Sequence, residues 1–512
     1  MPLSNDPLRT VTDVIVVGGG GAGLAAASSA VELGRQVILL EKNPMLGGST
    51  AWSVGSVSAT STPHQIQAGI KDCPEFHAED LKLFCGDLLH RDNLELSRLL
   101  AEHSPEMFRW LMSTGLVFVG PLPDPPNRHP RMHNILPNSR AFPFILGRHC
   151  RRLGVDIRLN TPAQELLMDG ERISGVLATL PDGQKHEFMA RGGVVLAGGD
   201  FSASRELKAR YANDDVANVD AVNPTSTGDG IRMATERGAV VVNGDHMRGP
   251  IMRFVPPPRT KLIQRLPPIK ALTNIMRWSF DHVPAWLLRP FLMNFLTTAL
   301  APSHELFRQG AILVDSDGVR YTNELSRPDV ATAKRPGGSG YIVFDQPLAG
   351  RFSAWPNFVS TAPGVGYAYL DDYRRTRSDI FHRADTIASL AEKMRVPGDA
   401  LARSIADYND SKPAGAAPAR ANRPKIEGPP FYALGPAKAY IIFTNGGLKV
   451  TRHLEVVDTR GAIIPGLYAA GSNGQGGMLL EGHGHHLGWA FVSGRIAGKN
   501  AAMRARDDVI TK

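Results

Sequence analysis

A chain of 512 residues, 43% hydrophobic and 21% charged, is long enough for two cores sharing a cleft. Its formal charge of +8 is modest for that length, and no block of Lys and Arg is interleaved with aromatics, which excludes a nucleic-acid-binding protein and leaves a basic surface that draws anions. Cys73, Cys85 and Cys150 are far apart and give neither zinc spacing nor a disulfide framework, so a reducing, cytoplasmic setting is expected.

In chain order, the polar N-terminus lacks a signal-peptide core, and Val14-Ile15-Val16-Val17 predicts a buried strand. Residues 18–23 form a glycine turn, and Leu24 to Gly34 a helix stopped by a capping glycine. Val37 to Leu40 is the next strand. From about 50 to 150 the pattern reads as mainly helical, with a Pro-rich loop at 121–130. Arg131 and His133 read as part of a loop that solvates itself. A β-rich stretch follows, ending in the apolar strand from Gly193 to Ala197.

Near residue 246 the glycine motifs fade, and aromatic, Pro and Arg residues appear in runs until about 435. This predicts an inserted second domain, 246–435, within a first domain made of 1–245 and 436–512. Residues 411–430 are Pro- and Ala-rich and read as a linker back. Segment 284–301 is apolar almost all round, with Arg289 inside it, and is too short and interrupted for a transmembrane span. It reads as a helix buried in the second domain. The other reading is a lipophilic lid that admits a greasy substrate or touches a membrane peripherally.

The turn Gly18-x-Gly20-x-x-Gly23, with Gly21 and Ala22 between, joins a buried strand to a helix. Its glycines permit a tight turn and close backbone approach to a pyrophosphate, and the helix N-terminus offers free N–H groups to that anion. Glu41 ends the second strand, where a carboxylate accepts from ribose hydroxyls. Lys42 and then Gly47-Gly48-Ser49-Thr50 let the chain follow a long ligand, with Gly55 close behind. Ala197-Gly198-Gly199, Asp229, Gly471, Ser472 and Leu487 extend the contact to the far end of the chain. A ligand touched by residues 18–50 and again by 471–488 is long; FAD fits and NAD does not need the far end.

These residues resemble the fumarate reductase/succinate dehydrogenase flavoproteins, and among them the single-chain branch that includes 3-ketosteroid Δ1-dehydrogenases and urocanate reductase. The resemblance rests on VVGGGGAGLAAA, EKNPMLGGST, TGDGIRMA at 227–234, GVRYTNE at 318–324, YIVFD at 341–345, PPFYAL at 429–434 and IPGLYAAG. It implies an α/β fold, a doubly wound Rossmann-like FAD domain with an inserted α+β cap. It also implies hydride exchange between the flavin and one carbon of a C–C bond, with a protein acid or base serving the neighbouring carbon.

The resemblance further implies a proton relay through Glu305 and Arg308 to Arg327, with Asp329 as second choice because strict register puts Pro328 at the acid's place. Its carboxylate clamp falls on Gly249, Phe443 and His486, so two donors are missing and a cation has become an imidazole. A dicarboxylate such as fumarate is therefore not expected. Leu480 stands at a substrate-holding Tyr, while Gly484 N–H, with His483 or His485, can hold a substrate carbonyl. The Gly-His-Gly-His-His run invites a metal reading, but its side chains sit at a loop-to-helix junction and no metal is expected.

The expected function is FAD-dependent dehydrogenation of a C–C bond beside a carbonyl in a lipophilic, steroid-like or cyclic ketone. The alternatives are an ene-reductase for an α,β-unsaturated acid or enone, and a flavin-binding electron-transfer subunit without its own substrate. A separate electron acceptor or donor is expected in each case.

Overall fold

The computed structural model describes residues 8–258, 266–362, 366–412, 419 and 422–510. Part of the expected linker, 413–418 and 420–421, therefore lies outside the described residues. Strand β1 (Leu8–Val17) runs through the first core, where Val14, Ile15 and Val16 are wholly buried. Burial of consecutive residues is what a parallel strand covered on both faces requires. It pairs in parallel with β2 (Val37–Leu40), Val14 opposite Val37, and with the strand Lys185–Leu196, Val16 opposite Val195.

Among the described residues these strands belong to an eight-stranded sheet. Its spatial order is 455–457, 463–469, 185–196, 8–17, 37–40 and 156–158, with the hairpin 163–179 added to strand 185–196. Helix α1 (Gly21–Glu32) follows β1 and lies against the C-terminal helix His485–Ile510. A Cβ on Gly494 would stand 2.3 Å from Ala22 O, and one on Gly498 2.1 Å from Ala26 O. Two glycines four residues apart thus let the helices touch backbone to backbone, and the two ends of the chain meet in one core.

Residues 50–150 are mainly helical, as expected, but they also contain a small sheet. Their helices frame an antiparallel three-stranded sheet of Ser56–Ser58, Met132–Leu136 and Val117–Leu122. Strand 56–58 pairs with residues more than 70 positions away, a distance at which local periodicity carries no signal. Arg131 and His133, read above as a self-solvating loop, are wholly buried beside and within this sheet. Arg131 pairs with Asp72 at 2.7 Å and Asp80 at 2.6 Å, so its charge is structural; its removal would leave the buried Asp72 without a cation, while Asp80 keeps Arg128.

A second core lies between residues 252 and 437. Its antiparallel sheet has the order 251–254, 431–440, 339–345 and 312–314, with 381–384 also paired to 431–440. The apolar segment 284–301 becomes the helix Ala285–Ala299. It buries Met293 and Thr297 in this core but leaves Trp286 72% and Leu287 51% exposed, because it packs at an edge by one face only. The expectation of a helix buried all round is corrected accordingly. Arg289 turns to Asp372, 2.7 Å away. No helix of the described residues is long and apolar enough to cross a membrane.

Candidate active site

A cleft opens above the C-terminal ends of the parallel strands, where open α/β sheets bind their ligands. Gly18, Gly20, Gly21, Ala22, Glu41, Lys42, Gly48, Ser49 and Thr50 line it from the first half of the chain. Ala197, Gly198, Gly199, Asp229, Gly471 and Ser472 line it from the rest. Gly18 has φ +109°, and a Cβ there would lie 2.5 Å from Ala197 O, so only glycine fits between two neighbouring strand ends. Gly20 caps α1 without a side-chain acceptor, which leaves N–H groups of the first turn free for an anion. Gly21 N–H already donates to Thr50 Oγ1 at 3.0 Å, tying the two glycine motifs together.

Glu41 is buried and braces this cradle as well as lining it. One carboxylate oxygen accepts from Gly19 N–H at 2.7 Å and the other from Asn43 N–H at 2.8 Å. Lys42 Nζ pairs with Asp229 at 2.7 Å, which holds the TGDG turn against the second strand. Gly23, Gly47, Gly55 and Leu487 do not line the cleft. Gly23 is a packing residue, since a Cβ would fall 1.8 Å from Gly18 O. Gly55, at φ +84°, turns the chain beside Ile135, and Leu487 is buried in the first core. Sequence reasoning missed Asn473, whose side chain accepts from Gly198 N–H at 2.6 Å and donates to Gly199 O at 2.8 Å. An amide within a Gly-Ser-Asn-Gly turn was the available signal.

Outside that cleft, the loop before the C-terminal helix meets the short ladder of Met247–Arg248 and Phe443–Thr444. Of the three clustered histidines, only His483 is both oriented and reachable. Its Nδ1 lies 2.9 Å from Asp124 Oδ1 and its N–H donates to Asp124 Oδ2 at 3.0 Å, while its side chain stays 28% exposed. Gly484 takes φ +82° and turns the chain into the helix. His485 is wholly buried under Phe84, both ring nitrogens unpartnered, and burial followed by His77 pushes its pKa down to about 3. It stays neutral and faces the core. His486 lies with its ring 4.0 Å from Phe443, and burial lowers it to about 4. Leu480 is buried and packs in the first core. No group of three or more His, Cys, Asp or Glu among the described residues is placed to hold a metal.

Gly249 has φ +133°, and a Cβ there would meet Tyr440 O at 2.6 Å. The clamp position therefore has no room for a histidine. Arg248 beside it is engaged by Glu481 at 2.9 Å, together with His246 at 3.1 Å and Asn445 at 2.8 Å. Burial pushes the Glu481 carboxyl up, but these three partners outweigh it and hold the group at about 2.

The expected relay does not assemble. Glu305 and Arg308 form an exposed pair at 3.3 Å, and Arg327 is exposed at the start of the helix Pro328–Ala333. Among the described residues no hydrogen bond or ion pair joins Arg327 to Glu305. Asp329, one turn into the fold, is half-buried beside Met252 N–H. Burial pushes its carboxyl above the ordinary range, against the pull of His304, that N–H and Arg327.

The model of the FAD binding domain family matches residues 13–252 and 284–479. The chain belongs to this FAD-binding family. Its cofactor is FAD, and the cradle above fits it: a glycine-lined strand–helix turn for the pyrophosphate, an acid at the end of β2, and a far wall from Gly471 and Ser472. Within the family the chain is 27% identical to the urocanate reductase of Eggerthella lenta, over 99% of this chain and 77% of that one. It is 28% identical to a probable fumarate reductase of Shewanella frigidimarina, over 97% and 76%. The open conformation of a flavocytochrome c3 fumarate reductase superposes with a TM-score of 0.70 at 25% identity, covering 98% of this chain and 79% of that one. Ketosteroid dehydrogenases belong to the same set of relatives. The chain is a flavin-dependent oxidoreductase acting on CH–CH groups.

Proposed function

We propose that this protein reduces the C=C bond of an α,β-unsaturated acid or enone. The observation that carries the reading is Asp329, a half-buried carboxyl beside Met252 N–H whose pKa burial raises above the ordinary carboxylate value. Reduction needs such an acid to protonate the carbon next to the carbonyl. Bound FAD supplies the hydride. His483, fixed by Asp124, and the Gly484 N–H stabilise the charge that develops on the carbonyl oxygen. Phe443 against His486 forms an apolar wall where a dicarboxylate would need donors.

This reading replaces the expected dehydrogenation of a steroid-like ketone. The relatives at 27% and 28% identity are named as reductases of urocanate and fumarate. Arg327, expected to serve as base, is exposed, which leaves the protonable Asp329 in its stead. Electrons come from a separate donor, as the lone, scattered cysteines and the lack of a CxxCH within these 512 residues support.

The test is anaerobic. Dithionite-reduced protein is mixed with urocanate, cinnamate, fumarate and cyclohexenone, and flavin absorbance is followed. Re-oxidation by urocanate, cinnamate or the enone, with fumarate slow, is expected. Bleaching of the oxidised flavin by saturated ketones would return the dehydrogenase reading, and silence with every compound would leave an electron-transfer subunit.

A further inference from the structure

One face of the second core's sheet carries a row of cations whose compensation is uneven. Along the strand Phe431–Tyr440, Ala437 and Ala439 are buried, whereas Pro436, Lys438 and Tyr440 are half-buried on the other side. In the neighbouring strand Ile251–Phe254, Met252 and Phe254 fill the second core, which leaves Ile251 and Arg253 on that same outer side. The register sets Arg253 opposite Lys438 and Ile251 opposite Tyr440. The next short ladder sets Arg248 opposite Phe443, whose ring touches His486 at the head of the C-terminal helix. The row therefore continues to the contact of Phe443 with His486 before the C-terminal helix.

Arg248 is met by Glu481 at 2.9 Å, and Lys438 by Asp220 at 2.5 Å. Arg253 has no hydrogen bond and no ion pair among the described residues, and its Nε is sealed from water. Desolvation, then the charge of Arg248, lowers its pKa to about 10, so it remains a cation with nothing to neutralise it. A charge taken out of water without a partner is costly, and a fold keeps one where a ligand brings the counter-charge.

We propose that Arg253 is the anion-binding residue of the substrate cleft and takes the carboxylate of an unsaturated monocarboxylic acid. Tyr440, near enough to act on its charge, flanks it. A guanidinium offers a planar fork of donors that a carboxylate accepts from with both oxygens. A second carboxylate would meet the Phe443 ring and the Glu481 carboxylate, so one anionic end and one apolar end are selected. The inference rests on the reduction reading for the identity of the acid, but binding alone tests Arg253.

Oxidised, FAD-loaded protein is titrated with hydrocinnamate, its neutral amide and succinate, reading the flavin difference spectrum. Hydrocinnamate should bind the wild type and weaken roughly 10- to 100-fold in Arg253→Gln, the loss of one charge-assisted pair. Arg253→Lys should recover part of that loss, the amide should change less than about twofold, and succinate should bind worse than hydrocinnamate. Equal hydrocinnamate affinity in wild type and Arg253→Gln, equal losses for acid and amide, or no binding of the acid to wild type would each overturn the proposal. Should Arg253→Gln lose its FAD, Arg253→Lys carries the comparison. If acids bind through Arg253 yet cinnamate leaves reduced flavin unoxidised, the reduction reading fails while the anion site stands.

Discussion

On the flavin side of the cleft, Gly18, Gly20 and Gly23 bring backbone against backbone and leave the N–H groups of α1 open to a ligand. On the substrate side, Arg253, Asp329, Phe443 and His483, the residues proposed to meet the substrate, are side chains from four separated segments. The first arrangement tolerates almost no change at Gly18 or Gly23, since an added Cβ there has nowhere to go. The second tolerates change readily, because a side chain lost from one strand can be replaced from another. A cofactor shared by many proteins is served by the first, and a substrate that differs among relatives by the second.

The contrast breaks most visibly at Gly23. Gly23→Val should abolish FAD retention, since even a Cβ would stand 1.8 Å from Gly18 O, and should cost roughly 3 kcal/mol or more. The ratio of flavin to protein absorbance after gel filtration reads the first effect, and urea unfolding the second. If Gly23→Val keeps its FAD, the packing account of the turn is wrong.

On the substrate side, Asp329→Asn should keep FAD but slow re-oxidation by an unsaturated acid by about 10²- to 10⁴-fold. Its pH profile sharpens the assignment. A carboxyl with a raised pKa donates while protonated, so the wild-type rate should fall as pH rises through that raised value. The Asn variant should lose this limb in stopped-flow traces, and an unchanged limb would move the acid elsewhere.

A different kind of effect concerns four histidines that burial keeps neutral. His77, His133 and His485 are pushed by burial to about 3, and His486 to about 4, all below the ordinary value of 6.5. A folded pKa below the unfolded one gives stability that is full above about 6.5 and lost as pH falls below it, by roughly 1.4 kcal/mol per pH unit for each group. Urea midpoints should therefore drop steeply between pH 6.5 and 4.5, and His485→Asn should flatten that slope. A midpoint constant over this range would mean that these rings are hydrated or already charged.

The smallest change is expected at the exposed Glu305–Arg308 pair, where Arg308→Ala should alter turnover less than about twofold and stability by under about 1 kcal/mol. A large loss of turnover would restore the relay inferred from the family resemblance.

The sequence alone determined the cofactor side. Strand, glycine turn, helix and the acid at Glu41 follow within 28 residues, Val14 to Glu41, and each is a local demand of backbone geometry, so spacing exposes it. The positions of Gly249, Phe443 and His486 also announced that a dicarboxylate grip was missing. What filled the space was decided only by tertiary structure. Which of the three clustered histidines is usable depends on Asp124, some 360 residues earlier, and on Phe84 covering His485. That Arg327 points to solvent while Asp329 is half-buried is a matter of one residue at a helix start, and no periodicity resolves it. Arg253 reads in the sequence as one arginine among many. It stands apart only once strand pairing gives its neighbours Arg248 and Lys438 their carboxylates and leaves it none, because charge compensation is a property of contacts across the fold and not of the order of residues along it.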